Sequence, residues 1–174
     1  MDQAFPIAWK IDCTELLEHG RTVRFEADAE VCARLAEHAG VLQIDGLSAE
    51  GEVRPWAGGV EARLRLVADI VQACVVTLEP VPQHIEEQLV RRFLPQVHLG
   101  ETPEGAVEIA PDEEDPPEPF EGEAIDLGPA IAEELVLALD PYPKAPGAEV
   151  LPEATKAGAE PTPFAVLKAL KETD

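Results

Sequence analysis

Residues 60–93, "VEARLRLVADIVQACVVTLEPVPQHIEEQLVRRF", decide the fold class. Even positions carry Val60, Ala62, Leu64, Leu66, Ala68 and Ile70, continuing through Cys74, Val76 and Leu78. Glu61, Arg63, Arg65, Asp69 and Thr77 fall on odd positions. An alternation of that length predicts a strand run from Val60 to Thr77 with one face in a core. Pro80 and Pro82 interrupt the run, and "HIEEQLVRRF" then spaces Ile85, Leu89 and Phe93 with Glu87 and Arg91 between them. The expectation is a second strand folded back on the first, although a helix is compatible with that spacing. Cys74 raises a chemical question: ligand, nucleophile or packing residue. If no bulge intervenes it shares the aliphatic face, while Arg63 and Arg65 lie on the other. Without a nearby base or cation to activate it, the thiol reads as a small buried hydrophobe.

Working outward, "FPIAWKID" (Phe5 to Asp12) is a short strand candidate with Ile7, Trp9 and Ile11 on one face. "RTVRFEA" (Arg21 to Ala27) alternates Val23 and Phe25 against charged neighbours, as a half-buried strand does. Asp28 is placed to cap a helix through Ala39 that Gly40 stops, with Val31, Cys32, Leu35 and Ala39 as its stripe. "VLQIDGL" (Val41 to Leu47) is a further strand, and Gly58-Gly59 after Trp56 marks a turn. "DLGPAIAEELVLALDPYP" predicts a helix with Pro129 in its first turn, Ile131, Leu135, Ala138 and Leu139 on its face, and Pro141 as its stop. The fold class is therefore α+β: an antiparallel sheet, barrel or open, with two packed helices. The segments are a core lobe over 1–98, an acidic linker over 99–123, a C-terminal helix within 124–143 packing back on the core, and a tail over 144–174. The linker ("PDEEDPPEPFEGE") is too acidic and proline-rich to bury a core and is expected to be disordered. Most of the tail is expected to be disordered too, ending in "TPFAVLKALK" with Phe164, Leu167 and Leu170 at helical spacing.

Charge narrows the function. Thirteen Lys and Arg stand against 35 Asp and Glu, a formal net charge of −22. Up to residue 98 there are 9 basic and 16 acidic residues; beyond it, 4 and 19, so the nets are −7 and −15. Such a polyanion repels phosphate backbones, because nucleic-acid affinity comes largely from cations that displace counterions. A basic protein partner fits better. The start "MDQAFPIAWKID" has no basic-then-apolar leader pattern, and no apolar run is long enough to span a bilayer, so a cytoplasmic protein is expected. Three separated cysteines, Cys13, Cys32 and Cys74, fit reduced thiols.

Enzymatic chemistry lacks its usual parts. Ser48 is the single serine, set in a turn-like "GLSAEG" without a nucleophile elbow. Neither a Walker loop nor a GxGxxG follows any strand. His19, His38, His84 and His98 have no metal-ligand spacing. Neighbouring acids such as Glu86–Glu87 or Glu133–Glu134 diverge on a strand or a helix and do not converge on one site. No cofactor, metal, catalytic residue or small-molecule substrate is expected. A metal-dependent enzyme built on scattered carboxylates is the least favoured of three readings. One basic strip stands out against the acids: Arg54, Arg63, Arg65, Arg91 and Arg92, a candidate RNA contact.

The combination of "VVQACVVTLEPVPQHIEEQLVRRF", the acidic proline-rich interval, "EAIDLGPAIAEELVLALDPYPKAPGAE" and the terminal "PFAVLKALK" resembles the YceD family, in the form found in alpha-proteobacteria. The resemblance implies a non-enzymatic role in the synthesis, processing or stability of large-subunit (23S) ribosomal RNA. Members commonly carry a CxxCL-type motif before a Glu-Pro. Here Val71 occupies the first cysteine position and only Cys74 remains before "TLEP", one thiol where structural zinc needs four ligands. The favoured mechanism is contact with a large-subunit ribosomal protein or another assembly factor through the acidic linker and the terminal Phe164, Leu167 and Leu170. The alternative is direct contact with ribosomal RNA through the arginine strip.

Overall fold

The computed structural model describes residues 6–14, 16, 20–96 and 116–148. Its elements are β1 (Lys10–Asp12), β2 (Arg21–Glu26), α1 (Ala29–Ala39), β3 (Gln43–Trp56), β4 (Gly59–Ala73), β5 (Pro80–Pro95), β6 (Glu118–Phe120), β7 (Ala124–Asp126) and α2 (Gly128–Leu137). Five strands form a sheet in the order β2-β3-β4-β5-β6, and β1 pairs with β7. The first four of the five run antiparallel, whereas β6 lies parallel to β5. The fold is α+β, and among the described residues the five-stranded sheet is open rather than closed into a barrel.

The alternation in residues 60–93 is what builds the middle of the sheet. Val60, Ala62, Leu64, Leu66, Ala68 and Ile70 are all buried, as are Ile85, Leu89 and Phe93 opposite them. Register explains the match, since Val60 pairs with Phe93, Leu64 with Leu89 and Ala68 with Ile85. Directly opposed residues point to the same face of an antiparallel pair, so both aliphatic sets enter one core. Burying each of the larger side chains contributes on the order of 2 kcal/mol. "HIEEQLVRRF" is thus a strand.

Both helices complete this core. Asp28 accepts the Val31 N–H at 2.8 Å and caps α1, and Gly40 closes it in the left-handed conformation at φ 68°. Cys32, Leu35 and Ala36 of α1 and Ile131 and Leu135 of α2 belong to one buried cluster with the sheet. Pro129 lies in the first turn of α2 as its missing N–H allows. Asp126 ties that helix to the β1–β7 pair: one carboxylate oxygen accepts the Trp9 N–H at 2.8 Å and the Gly128 N–H at 2.9 Å.

Five local expectations change. The strand expected over Val41 to Leu47 runs from Gln43 to Trp56, so Ser48 pairs with Glu26 in the sheet rather than sitting in a turn. The second helix ends at Leu137 with Ala138 as its C-cap, so Leu139 lies beyond it. Of the strand candidate at Phe5 to Asp12, the described residues 6–12 are a strand over Lys10–Asp12, which pair with β7; Ile7 is buried without being in a strand, and Phe5 lies outside the described residues. Glu118–Phe120, inside the interval read as linker, hydrogen-bonds to the end of β5 as β6. The run from Val60 ends at Ala73 rather than Thr77. A turn follows, closed by the Cys74 N–H on the Glu79 carbonyl at 2.8 Å and the Leu78 N–H on the Cys74 carbonyl at 3.0 Å.

Candidate functional site: three arginines on one buried glutamate

The sheet has a second face, formed by the side chains that alternate away from the core. It carries Arg24 on β2, Glu50, Glu52 and Arg54 on β3, Glu61, Arg63 and Arg65 on β4, and Glu86, Val90 and Arg92 on β5. Most of these side chains are exposed. Glu61 is the exception, at 1% relative exposure, and among the described residues it is the charged side chain taken wholly out of water.

Register again supplies the reason. The β3–β4 turn at Ala57-Gly58 has positive φ at both positions, 46° and 82°, and aligns Trp56 with Gly59 and Arg54 with Glu61. Across the next ladder Glu61 faces Arg92. Glu61 Oε1 accepts from Arg54 Nε and Nη2 at 3.0 and 2.7 Å and from Arg63 Nε at 2.7 Å. Its Oε2 accepts from Arg92 Nε at 3.1 Å. The Arg92 guanidinium lies 4.9 Å from the centre of the Trp56 ring, a cation–π distance. These donors, Arg63 first, hold the Glu61 carboxyl at about 2, below its usual 4.5, although burial pushes the other way. Glu61 thus accepts from three guanidiniums at once, and Glu52 adds its charge beside Arg63.

The structure therefore brings Arg54, Arg63 and Arg92 together. Arg65 lies on the same face but is paired to Glu86, with Nε donating to Oε1 at 2.9 Å and Nη2 2.8 Å from Oε2. Arg91 is on the opposite, core-side face because adjacent strand residues alternate. There it approaches Glu133 and Glu134 of α2 and Glu118 of β6 at 3.3, 3.7 and 3.5 Å. Glu118 is pushed up chiefly by burial, with Arg91 opposing. Phe164, Leu167 and Leu170 fall outside the described residues.

Cys74 is buried, but not on the strand face that the alternation implied. Its sulfur sits in the turn after β4 and accepts the backbone N–H groups of Val76, Thr77 and Ala145 at 3.4, 3.4 and 3.3 Å. Those donors hold the thiol at about 6, below its usual 9, with Ala145 the largest contributor. The same turn receives the C-terminal segment, since the Val75 N–H donates to the Pro143 carbonyl at 2.9 Å. Among the described residues no group of three or more His, Cys, Asp and Glu is arranged to hold a metal ion, and no helix is long and apolar enough to cross a membrane.

Glu61 is the residue that sequence reasoning missed. Its odd position reads as solvent-facing, and that is the correct face. A signal was present in the turn: counting outward from Ala57-Gly58, three residues back and three residues on, sets Arg54 against Glu61 by residue number alone. Arg92 over Trp56 has no such local signal.

The described residues form an open mixed-charge sheet backed by two helices. The family comparison is more specific. The model of the YceD family, described as large ribosomal RNA subunit accumulation protein, matches residues 62–171, well over half of the chain, and the protein belongs to that family. No curated protein and no solved structure matches the chain.

Proposed function

We propose that this protein is a non-catalytic, cytoplasmic factor that supports the synthesis, processing or stability of large-subunit ribosomal RNA, acting mainly through protein contacts. One observation carries the reading. Every arginine on the open face is already held by a carboxylate of its own chain: Arg24 by Glu26, Arg65 by Glu86, and Arg54, Arg63 and Arg92 by Glu61. A phosphate backbone would have to displace those partners in a chain of net charge −22. A basic large-subunit ribosomal protein or assembly factor meets complementary carboxylates instead. The family match runs to residue 171, so it includes Phe164, Leu167 and Leu170. Affinity purification of the tagged full chain after nuclease treatment tests the proposal. Large-subunit proteins or assembly factors should still be recovered, and less so without residues 161–174. Recovery that vanishes with nuclease contradicts it.

A second reading, direct RNA contact, rests on the gathering of Arg54, Arg63 and Arg92 at one point of the open face beside Trp56. It expects salt-sensitive binding of 23S fragments by the full chain, weakened in R63A. No retardation at low salt would dismiss it.

A further inference from the structure

The outer side of α2 is apolar where a surface helix is ordinarily polar. Ile131, Ala132 and Leu135 of that helix are wholly buried, yet Val136 and Leu137 keep 40% and 71% of their exposure. Pro129, Glu133, Val136 and Leu137 recur at helical spacing along one groove of about 630 Å³, which His38 of α1 and Glu118 of β6 also border. The surroundings are acidic. Among the described residues Glu118, Glu133 and Glu134 share one cation, Arg91. An apolar groove with spare carboxylates beside it suits an apolar segment that carries lysine.

The end of the chain supplies such a segment. Residues 161–174, "PTPFAVLKALKETD", set Phe164, Leu167 and Leu170 on one helical stripe. Lys168 follows Phe164, and Lys171 follows Leu167, by one turn each. Thr162 and Pro163 are a helix-starting pair. A helix this short is marginal in water by itself and needs a surface to form against. Phe164 to Leu170 would rise about 9 Å, close to the roughly 12 Å from Pro129 to Leu137. Residues 97–115, by contrast, hold seven acids and neither lysine nor arginine, so the carboxylates beside the groove repel them.

The chain has the reach. Ala145 is fastened to the turn after β4 through its N–H on Cys74 Sγ at 3.3 Å, and the Ala148 N–H bonds the Ala145 carbonyl at 3.0 Å. The C-cap of α2 is held nearby, its Ala138 carbonyl accepting from Gln83 Nε2 of β5 at 3.0 Å. Residues 149–163 span up to about 50 Å, over three times the roughly 15 Å length of α2.

We propose that residues 161–174 fold back on their own chain as a short helix that lays Phe164, Leu167 and Leu170 in the groove outside α2, with Lys168 and Lys171 beside Glu118 and Glu133. The contact covers Val136 and Leu137. The family match extends to residue 171, the end of this helix, as suits a segment belonging to the folded unit. The inference concerns the chain without its partner and does not rest on the protein-contact reading: a partner that binds Phe164, Leu167 and Leu170 takes them from this groove.

Photo-crosslinking of the full chain in dilute solution tests the contact. A benzophenone amino acid in place of Leu137 should join residues 161–174 of the same chain, with the adduct read by peptide mass spectrometry. The same group in place of Glu50, on the open face of the sheet, should not. F164S combined with L167S, both outside the described residues, should reduce the Leu137 adduct about tenfold or more. Hydrogen exchange gives a second readout. Amides of residues 166–171 should exchange at least about tenfold more slowly than in a free peptide of the same sequence, and L137D should remove that protection while the β4 amides keep theirs. Exchange of this segment at the free-peptide rate in the wild-type chain overturns the proposal. So does an adduct confined to residues 97–115 or to a second chain, or one that F164S with L167S leaves intact.

Discussion

Glu61→Gln is the most informative single change in the outer face. The substitution keeps the shape and one acceptor oxygen, but removes the charge on which three guanidiniums converge. Removing one partner of a fully buried ion pair costs about 3–5 kcal/mol. Here Arg54 and Arg63 retain 43% and 55% of their side-chain exposure and can turn towards water, whereas Arg92 at 18% cannot do so freely. Discounting the two exposed partners as surface pairs brings the expected loss to about 2 kcal/mol. For a chain of this length that corresponds to a fall in Tm of about 4–8 °C. The pH dependence is the sharper check. Glu61 is held at about 2 in the folded chain against 4.5 otherwise, so the unfolded chain binds its proton first. Its contribution is complete above the unfolded value and is lost as pH falls through the folded one. Urea unfolding of wild type and E61Q should therefore differ fully at neutral pH, and the difference should close between 4.5 and about 2. A neutral-pH gap under about 0.5 kcal/mol, the size of an ordinary surface change, refutes the reasoning. A gap that ignores pH refutes it equally.

Two other changes test the turn after β4 and the spacing of the sheet. The Cys74 thiol, held at about 6, should give a thiolate absorbance step near that pH in the native chain, while Cys13 and Cys32, both raised by burial, titrate above the usual 9. Because the folded value is depressed, the advantage of wild type over C74A should grow as pH rises from 6 to 9; a thiolate midpoint at the ordinary value would contradict the N–H contacts. Gly51→Ala should cost about 2–4 kcal/mol by denaturant unfolding, since its Cβ would collide with the Arg63 carbonyl oxygen and lie 2.8 Å from the Leu64 Cα. Gly46→Ala meets nothing within 4 Å and is the matched control, and equal costs would disprove the close approach of β3 to β4.

Much of this arrangement was legible in the chain itself. The two-residue period of Val60 to Ile70 fixed both strand type and core face, because a pleated strand has no other way to bury every second side chain. Asp28 with Gly40 marked both ends of the first helix through backbone groups that need local partners, and Pro129 marked the start of the second, which ends at Leu137, short of Pro141. Family membership was likewise readable, from the order of three sequence blocks. The end of β4 was not. Cys74 to Thr77 continue the apolar alternation, yet Cys74 turns to bond Glu79, and its sulfur is satisfied by Ala145, 71 residues away. Local pattern cannot encode a partner at that separation.

The same division holds at the arginines. Sequence alone picked out Arg54, Arg63, Arg65, Arg91 and Arg92 as cations in an acidic chain, and residue-by-residue alternation already separates Arg91 from Arg92. Which of them share a carboxylate is a property of register across β3, β4 and β5. Register depends on the Ala57-Gly58 turn and on the return of β5, and once set it draws Glu61 out of water beneath Arg54, Arg63 and Arg92. The sequence determined the charges and the faces. Only the tertiary structure decided which charges meet, because strand pairing joins residues by position in the ladder and not by distance along the chain.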